Sequence, residues 1–217
     1  MNGQQIIDKF HTYTDDQSEL SSQEELDLLN NVYQDVYTER HWVWLKKQAS
    51  GNSFTSFATN AWYINLPTDF LAFAENNNMT DDTYGPNNNA APKVVFIYTP
   101  DGVPVPYQIV NFSDRRQYFN KNGYCYVDYA NNRIVFTQQP VSQQYEFDYI
   151  YKPPALTLAT SPVFDSDYHQ ILVHGMAIDH EIIQLFDRAH SYAPENRDKY
   201  QKYLTKLAWA NAQLLLN

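Results

Sequence analysis

The residues that could do chemistry are few and poorly grouped. His180-Glu181-Ile182-Ile183-Gln184 approaches the H-E-x-x-H zinc-protease motif, but Gln184 stands where the second histidine is required. His174, His180 and His190 fall on the same stretch of helix. At the α-helical turn angle, however, His174 and His180 point about 120° apart, so no shared metal site follows. They read as a polar helix surface. Asp114-Arg115-Arg116 could hold a phosphate, but adjacent arginines on a loop are ordinarily ion-paired or solvated. Asp15-Asp16, Glu24-Glu25 and Asp81-Asp82 are sequence neighbours on polar segments and read as caps and loops, not as an acid/base pair held in a cleft. The chain has six glycines, none in a phosphate-loop pattern, and one cysteine. Cys125 excludes an internal disulfide framework and a Cys-based zinc site, and in Tyr124-Cys125-Tyr126-Val127 it reads as core filling. The expectation is no enzyme, no cofactor and no metal.

The elements carry more information. The chain has 217 residues, 43% of them apolar, enough for a sizeable core. It is rich in tyrosine (18) and phenylalanine (12), side chains suited to surfaces that become buried on assembly. Net charge is −10 and spread along the chain: nine acids to four bases in residues 1–50, ten to six in 51–166, six to five in 167–217. This is not a basic nucleic-acid footprint. No stretch approaches the length of a membrane span, and the N-terminus lacks a charged-then-apolar signal pattern, so cytosolic synthesis and no membrane association are expected.

Gln4 to about Tyr13 reads as a short helix with Ile6, Ile7 and Phe10 on one face. Ser21-Ser22-Gln23-Glu24 is a capping box, Ser22 with Glu25 being the alternative register. It opens a long helix expected to reach about Lys47, with an apolar stripe through Leu26, Leu29, Val32, Tyr33, Val36 and Tyr37, then Val43 and Trp44. A β region follows. Phe54–Ala58 and Trp62–Leu66 form a hairpin, and Phe70–Ala74 a short strand. Residues 75–91 make a long asparagine-rich loop, and Lys93–Tyr98 a buried strand. Val105–Val110 is extended, Ser113 caps one helical turn to Phe119, and Tyr124–Tyr129 pairs with Arg133–Thr137. Tyr145–Tyr151 puts Tyr145, Phe147, Tyr149 and Tyr151 on one face before Pro153-Pro154 stops it. Asp167 is expected to cap a helix to about His190, with a seam through Ile171, Gly175, Ile178, Ile182, Leu185 and Ala189. Pro194 opens a last helix with Tyr200, Leu204, Leu207, Asn211 and Leu214 in line, and Lys199, Lys202 and Lys206 on the wet face. The expected fold is α+β: a helical body from residues 1–52 and 155–217, the latter a helical hairpin, with a central antiparallel β insert at 53–154.

Several pieces, taken in order, resemble the tailed-bacteriophage head-to-tail adaptor (connector) proteins, the ring proteins below the portal. They are Leu26-Asp27-Leu28-Leu29-Asn30 with Trp42-Val43-Trp44, and Trp62-Tyr63-Ile64-Asn65-Leu66-Pro67-Thr68-Asp69-Phe70. With them go Arg133-Ile134-Val135-Phe136, Phe147-Asp148-Tyr149-Ile150-Tyr151-Lys152-Pro153-Pro154, and Tyr168-His169 opening the helix to Arg188-Ala189. Trp62, Tyr63, Leu66, Pro67 and Phe70 form the structural pivot between helical and β parts. The resemblance implies a virion structural protein at the head–tail junction. It would form a closed ring of twelve copies that joins the portal to tail or nozzle proteins and extends the channel through which double-stranded DNA passes non-specifically. The apolar tail Leu214, Leu215, Leu216 and Asn217 is the candidate portal anchor. A different reading is a β-rich glycan-binding module that stacks sugars on Trp62, Tyr63 and the tyrosines of 145–151.

Overall fold

The computed structural model describes residues 1–14, 20–40, 42–58, 61–74, 93–184 and 193–215. The 75–91 loop, the turn at Thr59-Asn60 and the tail end Leu216-Asn217 lie outside them. The fold is α+β, in two compact units, Met1–Leu45 with Pro153–Asn217, and Lys46–Lys152.

Among the described residues the first unit holds four α-helices: α1 (Gly3–Thr14), α2 (Ser22–Thr38), α3 (Gln170–Gln184) and α4 (Ala193–Leu215). α3 is the centre, with α1, α2 and α4 packed against it. It is correspondingly buried around its circumference: Ile171, Leu172, Val173, His174, Met176, Ala177 and His180 are all in the interior. A narrow two-position seam is replaced by a helix enclosed by three neighbours. Ile6, Ile7 and Phe10 of α1 and Leu29, Val32 and Val36 of α2 face it and are almost fully buried, each worth about 1.5–3 kcal/mol of transfer free energy. Gly175 lets α3 approach closely: a Cβ there would stand 2.2 Å from Val32 Cγ1 and 3.2 Å from Tyr200 Cε2.

Ser21 caps α2 as expected. Its hydroxyl accepts from Glu24 N while the Glu24 carboxylate accepts from Ser21 N at 2.8 Å. The helix is shorter than its apolar pattern suggests and ends at Thr38. Trp42 folds back, donating its indole N–H to Val36 O at 2.8 Å and stacking on Trp44 at 4.4 Å between ring centroids. Lys46 and Lys47, expected at the end of the helix, open a strand that runs over Lys46–Gly51. Its backbone pairs with residues 145–150, where Lys46 meets the Asp148 carboxylate, while Lys47 meets that of Asp69. Long-range pairing overrides helix propensity at this point.

In the second unit, among the described residues, nine strands make one sheet: β1 (Lys46–Gly51), β2 (Thr55–Ala58), β3 (Ala61–Asn65), β4 (Phe70–Phe73), β5 (Val94–Tyr98), β6 (Pro104–Val110), β7 (Tyr124–Asp128), β8 (Arg133–Phe136) and β9 (Gln144–Tyr151). The order is β1-β9-β5-β6-β7-β8-β3-β2. β4 pairs with the C-terminal half of β9, on residues 149–151, while β5 takes residues 144–146. One pair, β6 with β7, is parallel, so the sheet is not purely antiparallel. A parallel pair needs a crossover. Residues 111–123 supply it through a 3-10 helix at Phe112–Tyr118. Asn111, not Ser113, occupies its cap position, without a side-chain hydrogen bond.

The sheet curls around a single core. Alternate residues Ile64, Val95, Ile97, Tyr107, Cys125, Val127, Ile134, Phe136, Phe147 and Tyr149 meet inside it. Phe54 closes it, its ring 5.1 Å from Phe136 of β8 and 5.5 Å from Tyr145 of β9.

Candidate assembly surfaces

The Trp62–Phe70 stretch is a set of anchors. Trp62 pairs with Phe136 and packs against the core, while Tyr63 turns to the other face beneath the Arg133 guanidinium, 5.1 Å from its ring. Leu66 is in the core, its N–H donating to Asn132 O at 2.9 Å. Pro67 starts a turn in which its carbonyl accepts from Phe70 N. Phe70 packs edge-on against Phe73, 4.8 Å away, and lies over Tyr149. Asp69 was legible only as turn chemistry, but it ties this turn to β1 and to the end of β9 within the β unit. Its carboxylate accepts from Lys47 Nζ at 2.7 Å and Tyr149 OH at 2.9 Å, and its carbonyl from Lys152 N at 2.6 Å. Burial pushes the Asp69 carboxyl up, but these hydrogen bonds and the Lys47 charge outweigh it and hold the group below the ordinary range. Burial and the Asp69 contact push the Tyr149 phenol up to about 12.

The tyrosines of β9 that a sugar platform would need face the wrong way. Phe147 and Tyr149 are core residues, and Tyr145 and Tyr151 pack against that core.

The family-like Leu26–Asn30 segment acts through Asn30. Its carboxamide clamps one residue of the 155–165 connector, accepting from Leu156 N at 2.7 Å and donating to Leu156 O at 3.1 Å. Three residues on, Tyr33 OH accepts from Val163 N. Asn211, read only as part of a seam, accepts from Val43 N at 2.6 Å. Such carboxamides satisfy backbone groups that no regular element pairs.

His174 and His180 of α3 are buried, which corrects their reading as helix surface, and His190 lies outside the described residues. The His180 ring meets Phe10 edge-on, and His174 lies between Tyr13 and Tyr203. Burial pushes the His174 imidazole below its ordinary range, and the Lys199 charge adds to this. His169, donating to or accepting from its neighbours according to tautomer, is lowered for the same first reason. Asp165, not Asp167, caps the turn that precedes α3, accepting from Asp167 N. Among the described residues no group of three or more His, Cys, Asp or Glu is placed to hold a metal. Cys125 is buried and burial pushes its thiol far up, so it is an inert core residue.

Two exposed regions stand out. On α4, Leu204, Leu207 and Asn211 are buried, but Leu214, next on that side of the helix, is 55% exposed. Trp209 lies on the opposite side with Lys202 and Lys206, at 67% exposure. The sequence pattern placed Leu214 but gave no reason to single out Trp209. The expected anchor is thus described at Leu214 alone, Leu216 and Asn217 lying outside the described residues.

On the β unit, the 3-10 helix crosses the outer face of β7 and β8 and leaves a cleft of about 390 Å³. Tyr126 and Val135, a cross-strand pair, form its floor with Ala61 and Thr137, and Arg115, Arg116 and Phe119 form its rim. Arg115 stacks on Phe112, its guanidinium carbon 3.7 Å from the ring centroid, and donates to Phe112 O.

Among curated proteins none matches the chain significantly. The family comparison is positive and nearly complete: residues 1–214 match the family described as SU10 adaptor protein. With its α+β fold and its helices built on α3, the chain belongs to the SU10 adaptor protein family, a family of phage head–tail adaptors.

Proposed function

We propose that the protein is the ring adaptor of a phage virion, joining portal to tail and extending the DNA channel. The observation that carries this reading is the family match over residues 1–214. The helical unit, Met1–Leu45 with Pro153–Asn217, would build the ring, with the β unit directed to tail components. A closed ring of twelve copies requires heterologous contacts, in which two different faces of each copy meet. A net charge of −10 suits a lumen through which DNA slides, because like charges do not trap the phosphate backbone. Leu214 supports a role for the tail 214–217 in portal docking: the buried side of α4 continues through it past the packed body, leaving an apolar side chain for a partner to cover.

Mixing the full chain with its purified portal tests this. Co-elution of many adaptor copies with each portal assembly is expected, and a chain that stays monomeric and never joins portal would refute it. Removal of residues 214–217 is expected to weaken that docking at least tenfold; unchanged docking would reject the anchor.

A further inference from the structure

The cleft under the 3-10 helix has features of a protein-binding socket. Its rim carries Arg116, whose side chain is exposed and meets no carboxylate among the described residues. The neighbouring acid does not neutralise it, since Asp114 is engaged with Asn111 and Ser113. By contrast, Lys46, Lys47 and Arg133 of the same unit are each paired with an aspartate at 2.7–2.9 Å. Phe119 stands on the rim at 58% exposure, above an apolar floor that includes Val135. Arginine and exposed aromatic side chains around an apolar pocket are the composition of a protein interface. A site for the phosphate backbone alone needs no apolar floor.

The complementary feature lies at the other end of β6. The β5–β6 turn is held by Gly102 N donating to Thr99 O at 2.8 Å and Thr99 N donating to Val103 O at 2.9 Å, with Gly102 at φ +78°. It presents Asp101, exposed and without a partner among the described residues, two positions from Val103 at 56% exposure. β6 has seven residues and spans roughly 23 Å, so turn and cleft of one chain cannot meet. The geometry points to a heterologous contact between copies: the Asp101–Val103 turn of one chain enters the Arg115–Arg116–Phe119 cleft of the next. Asp101 would pair with Arg116, and Val103 would cover the apolar floor. This rests on the ring reading and supplies one of the two unlike faces that a ring requires.

Cysteine trapping tests the contact directly. A V103C chain and an F119C chain are mixed under mild oxidation, at high concentration and again on purified portal. Native Cys125 stays silent because it is buried. The mixed disulfide dimer is expected to dominate over either homodimer in at least one of the two settings. Arg116→Glu in the F119C chain is expected to lower its yield about tenfold, with Arg116→Gln intermediate, and Asp101→Arg in the V103C chain to restore it. Absence of the mixed dimer in both settings, or a yield indifferent to Arg116→Glu, would overturn the contact. So would loss of DNA retention by Arg116→Glu with trapping unchanged, which would give the cleft to phosphate instead. Co-elution of the unmodified chain with portal is read separately, so failure of the ring reading and failure of this contact are told apart.

Discussion

At the level of single residues, the polar groups that matter hold backbone or bridge strands. Asp69 is the clearest case, receiving Lys47 and Tyr149 at once. Asp69→Ala removes two hydrogen bonds to a charged group, both partly open to water, and is expected to cost about 1–3 kcal/mol in urea unfolding. The Asp69 carboxyl titrates below its unfolded value, so its contribution is complete above the unfolded pKa and is lost as pH falls through the folded one. His174 and His169 act in a higher window. Both are lowered by burial, so the unfolded chain takes up protons first. Their neutral forms add full stability above about pH 6.5, and stability falls as pH drops below it. Unfolding midpoints measured from pH 7.5 to pH 5 are expected to decline, and a flat profile would show that these rings do not stay neutral in the folded state. The sequence exposed none of this: a histidine on a helix carries no mark of whether its face is wet, and Asp69 sits in a turn where aspartate needs no special explanation.

At the level of elements, local signals held where the determinants are local. The capping box at Ser21 and Glu24, the β2–β3 and β7–β8 hairpins and the alternating aromatic strand β9 are set by near neighbours and were legible. The failures share a cause in long-range pairing. Lys46 and Lys47 continue a helix-compatible composition but open the strand Lys46–Gly51, because β9 offers it an edge. The parallel β6–β7 pair needs a crossover that no residue pattern announces. The central place of α3 makes a sharp prediction. Gly175→Ala would drive a Cβ into Val32 on α2 and toward Tyr200 on α4. It is expected to cost about 1–3 kcal/mol by overpacking, read as a lower thermal midpoint. Asn30→Ala leaves the Leu156 N–H and carbonyl without their partner. An expected loss of about 1–3 kcal/mol should be accompanied by faster proteolysis within the 155–165 connector.

At the level of the whole molecule, the described surface offers three places that a partner could cover: an exposed Trp209, an apolar Leu214 at the end of α4 and an arginine-rimmed cleft. The quoted motifs made the family legible in sequence order, and the match over residues 1–214 establishes it. The cleft could not be read from sequence, because Ala61, Arg116, Tyr126 and Val135 come together only through the curl of the sheet. The central claim is that many copies of this chain close into a ring on the portal. Mass measurement of the chain mixed with its purified portal tests it most directly. A discrete complex with a fixed multiple of the 25.4 kDa chain per portal, twelve in the expected ring, is the predicted result. A chain that remains at its monomer mass with portal present, under conditions where the portal itself is intact, would contradict it.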